Sequence, residues 1–286
     1  MRPHSPVSIR ARLPGRLPPP VYAGLIAGAG FWGLLNATMP TSATAQTAGC
    51  PRAATPVATV AAVRDGRTIA LDDGREIRLA GIAVPEPDEA GAEAARQALD
   101  GLLAERRVTF AGASTDRYGR SVGFGYPADG KQSLQEAMLA AGFARRAAQP
   151  VPQDCNTALT AAERDARQAR RGLWAEAAFA PLQADQPAMV TEARGRFAMV
   201  EGTVLSVRES RGVIYLNFGR RWTRDFTAIV LKRNQRPFAA AGMTLTALEG
   251  RRIRVRGFIE QRSGPVIEAV TPEQIELADT TTAARQ

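Results

Sequence analysis

From Pro56 onward, "PVATVAAV" and "RTIALDDGREIRLAGI" alternate apolar and polar residues or run β-branched. This pattern predicts three strands, with Asp73-Gly74 at the centre of a hairpin turn. The period then changes. In "EAGAEAARQALDGLLAERR" the apolar positions Ala94, Ala98, Leu99, Leu102 and Leu103 recur at helical spacing. "RVTFAGA" and "SVGFGYPADGK" read as two more strands. "SLQEAMLAAGFARR" reads as a helix stopped at Gly142, and "ALTAAERDARQARRGLW" as a last one stopped at Gly172. Three strands, a helix, two strands and then helices is the order of an OB-type five-stranded barrel with added helices.

A second pattern follows. "FAPLQADQPAMV" (179–190) has two prolines and no strong period, and reads as a linker. Beyond it come "FAMVEGTVLSVRESRGVIYLNFG", "DFTAIVLK", a short amphipathic "RNQRPFAAAG" and "RRIRVRGFIEQRSGPVIEAV". Turn signals at Arg211-Gly212 and Ser263-Gly264 mark about five strands, with a helical piece between the third and fourth. The prediction is a mainly β chain with added helices, in the α+β class. One barrel spans 56–174 and a second, smaller OB-like barrel spans 191–278.

The N-terminus adds a processing question. Arg2, Arg10, Arg12 and Arg16 precede the apolar run Val21–Met39 and the small-residue pattern Ala43-Thr44-Ala45. That order predicts an export signal over 1–45, hence a periplasmic or secreted protein. The run is also about long enough to span a bilayer, so an uncleaved anchor over 21–39 is the alternative.

Cys50 and Cys155 are the two cysteines, and in an oxidising compartment they are expected to form one disulfide. His4, the one histidine, lies in the signal, which leaves no zinc site and no Ser-His or Cys-His nucleophile. Net charge is +9, and it is uneven. Residues 190–286 hold 16 basic and 10 acidic residues, against 17 and 18 over 46–189. A basic C-terminal half suits a polyanionic partner.

Four segments in order carry a family resemblance: "RDGRTIAL", "IRLAGIAVPEP", "TDRYGRSVGFGY" and "ARRGLW". Over about 56–174 the chain resembles the thermonuclease family, calcium-dependent nucleases built on an OB barrel with added helices. The resemblance implies that Arg78 and Arg120 are the phosphate-binding arginines and Glu86 the catalytic glutamate. It implies calcium as cofactor, but the two ligand aspartates are replaced. Arg67 follows Asp65-Gly66 where the family has the first aspartate. Ala83 and Val84 stand where it has the second and a threonine. Calcium takes about six to eight oxygen ligands, and a guanidinium at its place repels it.

The expectation is therefore no metal cofactor, and a phosphate-binding cluster of Arg67, Arg78 and Arg120 with Glu86 paired to an arginine. The partner expected is nucleic acid or another polyanion, single-stranded, with protein partners open. On the second barrel, Tyr215, Trp222, Arg224, Lys232 and Arg233 form a candidate single-strand groove of aromatics interleaved with basic residues. Two other outcomes stay open. One is an active nuclease whose site is metal-independent or rebuilt from Asp65, Asp72, Asp73, Glu86 and Asp88. The other is a non-catalytic envelope scaffold.

Overall fold

The computed structural model describes residues 50–52, 55–103 and 105–278. The export signal or anchor expected over 1–45 lies outside them. Among the described residues, no helix is long and apolar enough to cross a membrane.

The first half closes a ring. Strands β1 (Ala58–Asp65), β2 (Thr68–Leu71), β3 (Glu76–Leu79), β5 (Arg107–Thr115) and β6 (Ser121–Pro127) form a closed barrel in the order β1-β2-β3-β6-β5. Between them lie the two-residue strand β4 (Ile82–Ala83) and helix α1 (Ala92–Leu102). The β2–β3 hairpin turns at Gly74, whose φ of 83° is left-handed and easy for glycine. β3 and β6 run parallel, and Ala58 pairs with Val108 to close the ring. The predicted five-strand order is thus present. Ile69, Ile77, Leu79 and Val108 are buried in one core with Leu99 of α1 and with Leu103 just past its end. Each such side chain contributes roughly 1.5–3 kcal/mol on burial.

Helices α2 (Leu134–Ala140) and α3 (Gln153–Gln168) follow, separated by the two-residue strand β7 (Arg145–Arg146). Ser133 caps α2 by accepting the Glu136 N–H at 3.2 Å. α3 begins five residues before the predicted Ala158 and ends before Gly172, because Arg170 already turns left-handed at φ 50°. The expected disulfide is present: Cys50 and Cys155 are bonded with Cα atoms 4.2 Å apart, pinning the N-terminal segment onto α3.

The segment 179–190 is not a free linker. Leu182–Gln183 forms β8 and Pro187–Glu192 forms α4, with Val190 fully buried in the second core. β8 joins β9 (Phe197–Thr203) in parallel, so the segment is stitched into the second domain. The remaining strands are β10 (Ser206–Ser210), β11 (Val213–Asn217), β12 (Thr227–Leu231), β13 (Arg252–Phe258), β14 (Glu260–Gln261), β15 (Pro265–Glu268) and β16 (Ile275–Leu277). They form two sheets, β10-β11-β12-β15-β14 and β16-β13-β9-β8. β9 and β10 act as one bent first strand, and β12 pairs with β15 in parallel, as the third and fifth strands of an OB barrel do. Helix α5 (Gln235–Ala240) fills the crossover and buries Phe238. This second barrel is open: no ladder joins β13 to β15, where Gly257 meets the Ile267 side chain.

The two domains pack as one compact unit. Arg145 of β7 reaches across, donating to the carbonyls of Phe197 at 3.2 Å and Phe179 at 2.5 Å and lying over the Phe179 ring at 3.7 Å. Glu163 of α3 is fully buried and pairs with Arg256 of β13 at 2.6 Å. Arg256 also meets Glu276, which holds Arg254 and Arg167.

Candidate nucleic-acid interface

β1 ends at Asp65 and β2 begins at Thr68, so Gly66 and Arg67 form the turn. The Asp65 Oδ1 accepts the Arg67 N–H at 2.8 Å, and the Arg67 carbonyl accepts the Leu79 N–H at 2.8 Å. Only glycine fits at 66, since a Cβ there would lie 2.8 Å from the Ala95 Cβ on α1. This turn sets Arg67 beside β3, where Arg78 pairs with Thr68 across the ladder and with Val122 of β6 on the other side. Arg120 lies two residues before Val122, held by Asp116 through Nε at 2.8 Å and Nη2 at 2.7 Å. Barrel register thus brings three arginines from three separate segments to one corner.

Their charges feel one another. Burial, with the guanidiniums of Arg67 and Arg120, pushes Arg78 below the ordinary arginine value, while Asp65 and Glu86 oppose the shift. Among the described residues, Arg78 forms no side-chain ion pair of its own. Glu86 is different: the Arg67 Nη2 meets its Oε1 at 2.5 Å. The Arg67 side chain is 11 % exposed and that of Glu86 51 %, so the pair sits at the lip of the corner.

Ala83 and Val84 lie just behind, both buried. Ala83 pairs with Arg145 in the small β4–β7 sheet, and a Val84 methyl group packs beneath Gly66. Asp72 and Asp73 sit at the far end of the β2–β3 hairpin, with Asp73 holding Arg75 at 2.7 Å. Asp88 is exposed in the loop before α1. Of the carboxylates named above, only Asp65 therefore joins Glu86 around Arg78.

Sequence reasoning missed Tyr118. Its ring is 67 % exposed, with the Arg117 guanidinium 4.8 Å and the Arg120 guanidinium 5.0 Å from its centre. The signal was present in "DRYGR", where an aromatic between two arginines on a tight turn has no core to enter.

On the second domain, Tyr215 and Trp222 line one cleft of about 520 Å³ on the outer face of the five-stranded sheet, with Arg208 and Arg262 at its sides. Arg208 pairs with Tyr215 across β10–β11, and Tyr215 with Ile229 across β11–β12. The Trp222 loop closes one wall against the Ser263-Gly264 turn. A Cβ on Gly264 would come within 3.0 Å of the Asp225 carbonyl oxygen. Arg224 lies in that loop beside Asp225. Lys232 and Arg233 are not part of the cleft: they follow β12, at the opposite end of that strand from Trp222, and Lys232 pairs with Glu209 at 2.5 Å.

The basic run "GRRIRVRGF" is also not a groove. Ile253 and Val255 face the core, while Arg252 and Arg254 hold Glu201 and Arg256 is buried against α3. Of the Arg-rich α3, Glu163 and Arg167 enter that junction, while Arg164 stays on the exposed side of the helix.

A closed OB barrel with added helices and an arginine-lined corner at its third-strand loop defines the class of nuclease-type barrels. The family described as staphylococcal nuclease homologue matches residues 76–176. Two relatives named "uncharacterized endonuclease", from Escherichia coli O157:H7 and Escherichia coli, are each 35% identical over 123 residues. That is 41% of this chain and 76% of theirs. The chain belongs to the staphylococcal nuclease family and carries a nuclease-type domain.

Proposed function

We propose that this is an exported member of the family that holds single-stranded nucleic acid through Arg67, Arg78 and Arg120 without calcium. The observation that carries the reading is the 2.5 Å ion pair between Arg67 and Glu86. A glutamate that serves as general base must reach a water near the phosphate. Here its Oε1 is taken by the Arg67 guanidinium, which holds the carboxylate against a cation rather than against a water.

The donors at this corner do not fit a calcium ion. Arg67 brings a cation, Ala83 and Val84 offer apolar side chains, and an Asp65 oxygen already accepts a backbone N–H. Among the described residues, no group of three acidic, histidine or cysteine side chains could hold a metal. The chemistry assigned to this chain's own residues is therefore binding. Arg78, without an ion pair, is the guanidinium ready for a phosphate oxygen, and Arg120 is pre-oriented by Asp116 for a second. Tyr118 offers a ring for an unpaired base, and the Tyr215–Trp222 cleft offers a second stacking surface.

The test is retention of a labelled single-stranded oligonucleotide by the full chain over a range of salt. Arg78→Ala removes a charge-assisted contact and is expected to weaken retention by about 10- to 100-fold, with a salt slope shallower by about one. Unchanged retention in Arg78→Ala overturns the assignment.

A further inference from the structure

The cleft of about 520 Å³ on the second domain carries an open amide that ring stacking leaves unused. In β11, Ile214 and Leu216 enter the core, so Tyr215 and Asn217 point to the outer face. They stand about 7 Å apart along the strand, and both line the cleft with Trp222. The Asn217 Nδ2 donates to the Ser206 hydroxyl on β10 at 3.2 Å, which fixes the orientation of the amide. Its Oδ1 and its second Nδ2–H have no partner among the described residues. Asn217 is half-buried, and that oxygen still reaches the surface. Among the described residues no carboxylate lines this cleft, and Arg208, opposite Tyr215, forms no ion pair.

The open part of the amide is one acceptor beside one donor. Every unpaired base carries the complement on its Watson–Crick edge. Adenine has N1 beside N6–H, cytosine N3 beside N4–H, guanine O6 beside N1–H, and thymine or uracil O4 beside N3–H. In a duplex the opposite strand engages those atoms. A base lying on Tyr215 or Trp222 with its edge toward Asn217 therefore meets the amide only when it is unpaired, and any of the four can do so.

We propose, on the reading of this chain as a nucleic-acid binder, that Asn217 is the residue that selects single strands. The cleft takes one unpaired base stacked on a ring, and Asn217 hydrogen-bonds its Watson–Crick edge whatever the base. Arg208, at the side of the cleft, is the cation for the adjoining phosphate.

Retention by the full chain is compared for a labelled single strand, the same strand in duplex, and an abasic strand of equal length. The wild type is expected to hold the single strand about 100-fold more tightly than the duplex and at least about tenfold more tightly than the abasic strand. Homopolymers of dA, dC and dT should fall within about tenfold of one another. Asn217→Ala narrows the advantage over duplex about tenfold and leaves duplex retention, which rests on phosphates, unchanged. That unchanged retention also shows that the variant is folded. The same advantage over duplex in Asn217→Ala as in the wild type overturns the proposal, as does a wider homopolymer spread. An abasic strand held as tightly as the intact one also overturns it, by making the cleft a site for polyanions at large. Arg78→Ala weakens single strand and duplex together and keeps their ratio. Unchanged retention in Arg78→Ala with a narrowed ratio in Asn217→Ala overturns the arginine corner and leaves the role of Asn217 standing, whereas no retention of any strand by the wild type overturns both.

Discussion

Glu163→Gln is the change that most directly loads the junction between the domains. Glu163 is fully buried and accepts from the Arg256 Nη1 at 2.9 and 2.6 Å, and from the Arg146 backbone N–H at 2.8 Å. Glutamine keeps the volume and one acceptor for that N–H, but it removes the charge and sets an amide N–H₂ against a guanidinium. Burial alone would lower the pKa of Arg256; Glu163 and Glu276 more than offset it, so Arg256 stays firmly charged and must find compensation. Removing one partner of a buried pair costs about 3–5 kcal/mol. Because Glu276 still holds Arg256 at 2.8 Å, the lower end applies, about 3 kcal/mol. For a chain of this size that is a midpoint loss of about 6–12 °C. The assay is calorimetry of wild type and variant, with Glu93→Gln as the control. That residue's i,i+3 partner Arg96 is at the surface, where pairs contribute little. A Glu163→Gln midpoint within about 2 °C of wild type would refute the reasoning, because it would mean that water reaches the pair.

Three further outcomes are expected. Cys50→Ser opens a link between residues 105 positions apart and should cost about 2–5 kcal/mol; an unchanged denaturation midpoint would show that the bond constrains little. Trp222→Ala should weaken oligonucleotide retention by about 1–3 kcal/mol without changing the midpoint, and unchanged retention would remove the second-domain cleft from the interface. Acid should destabilise the junction. Burial alone would raise the pKa of Glu276, but Arg256, Arg167 and Arg254 hold it below its ordinary 4.5. A carboxylate depressed in the folded state stabilises above its unfolded value, and that stability is lost as pH falls through the folded one. The midpoint is thus expected to drop below about pH 4.5, with a shallower drop in Glu276→Gln; equal slopes in the two proteins would contradict this.

Local patterns were enough for the first barrel, because its strands alternate and its turns fall on Asp-Gly and Arg-Tyr-Gly signals. The arginine corner was legible too, since Arg67, Arg78 and Arg120 are placed by turn and register, which are local properties. The junction was not. In "RRIRVRG" the period of two separates Ile253 and Val255 from Arg252, Arg254 and Arg256, but it cannot say what covers the arginine side. Here α3 does, and that is a contact between positions some ninety residues apart. The same limit hid Arg146, whose neighbours Phe143 and Ala147 reveal nothing of its burial. The 179–190 segment misled because two short elements, β8 and α4, take their stability from packing on β9 and the second core rather than from any period of their own. Lys232 and Arg233 are close to Trp222 in sequence but are separated from it by the length of β12.

The central claim is that Arg67 has taken the place of a metal and turned a nuclease corner into a binder. It is tested most directly by incubating the full chain with labelled single-stranded DNA and RNA, in calcium and in chelator, reading cleavage and retention together. The account predicts retention that is the same in calcium and chelator, falls with salt, and leaves the strands intact. Cleavage that appears with calcium and stops with chelator would contradict it.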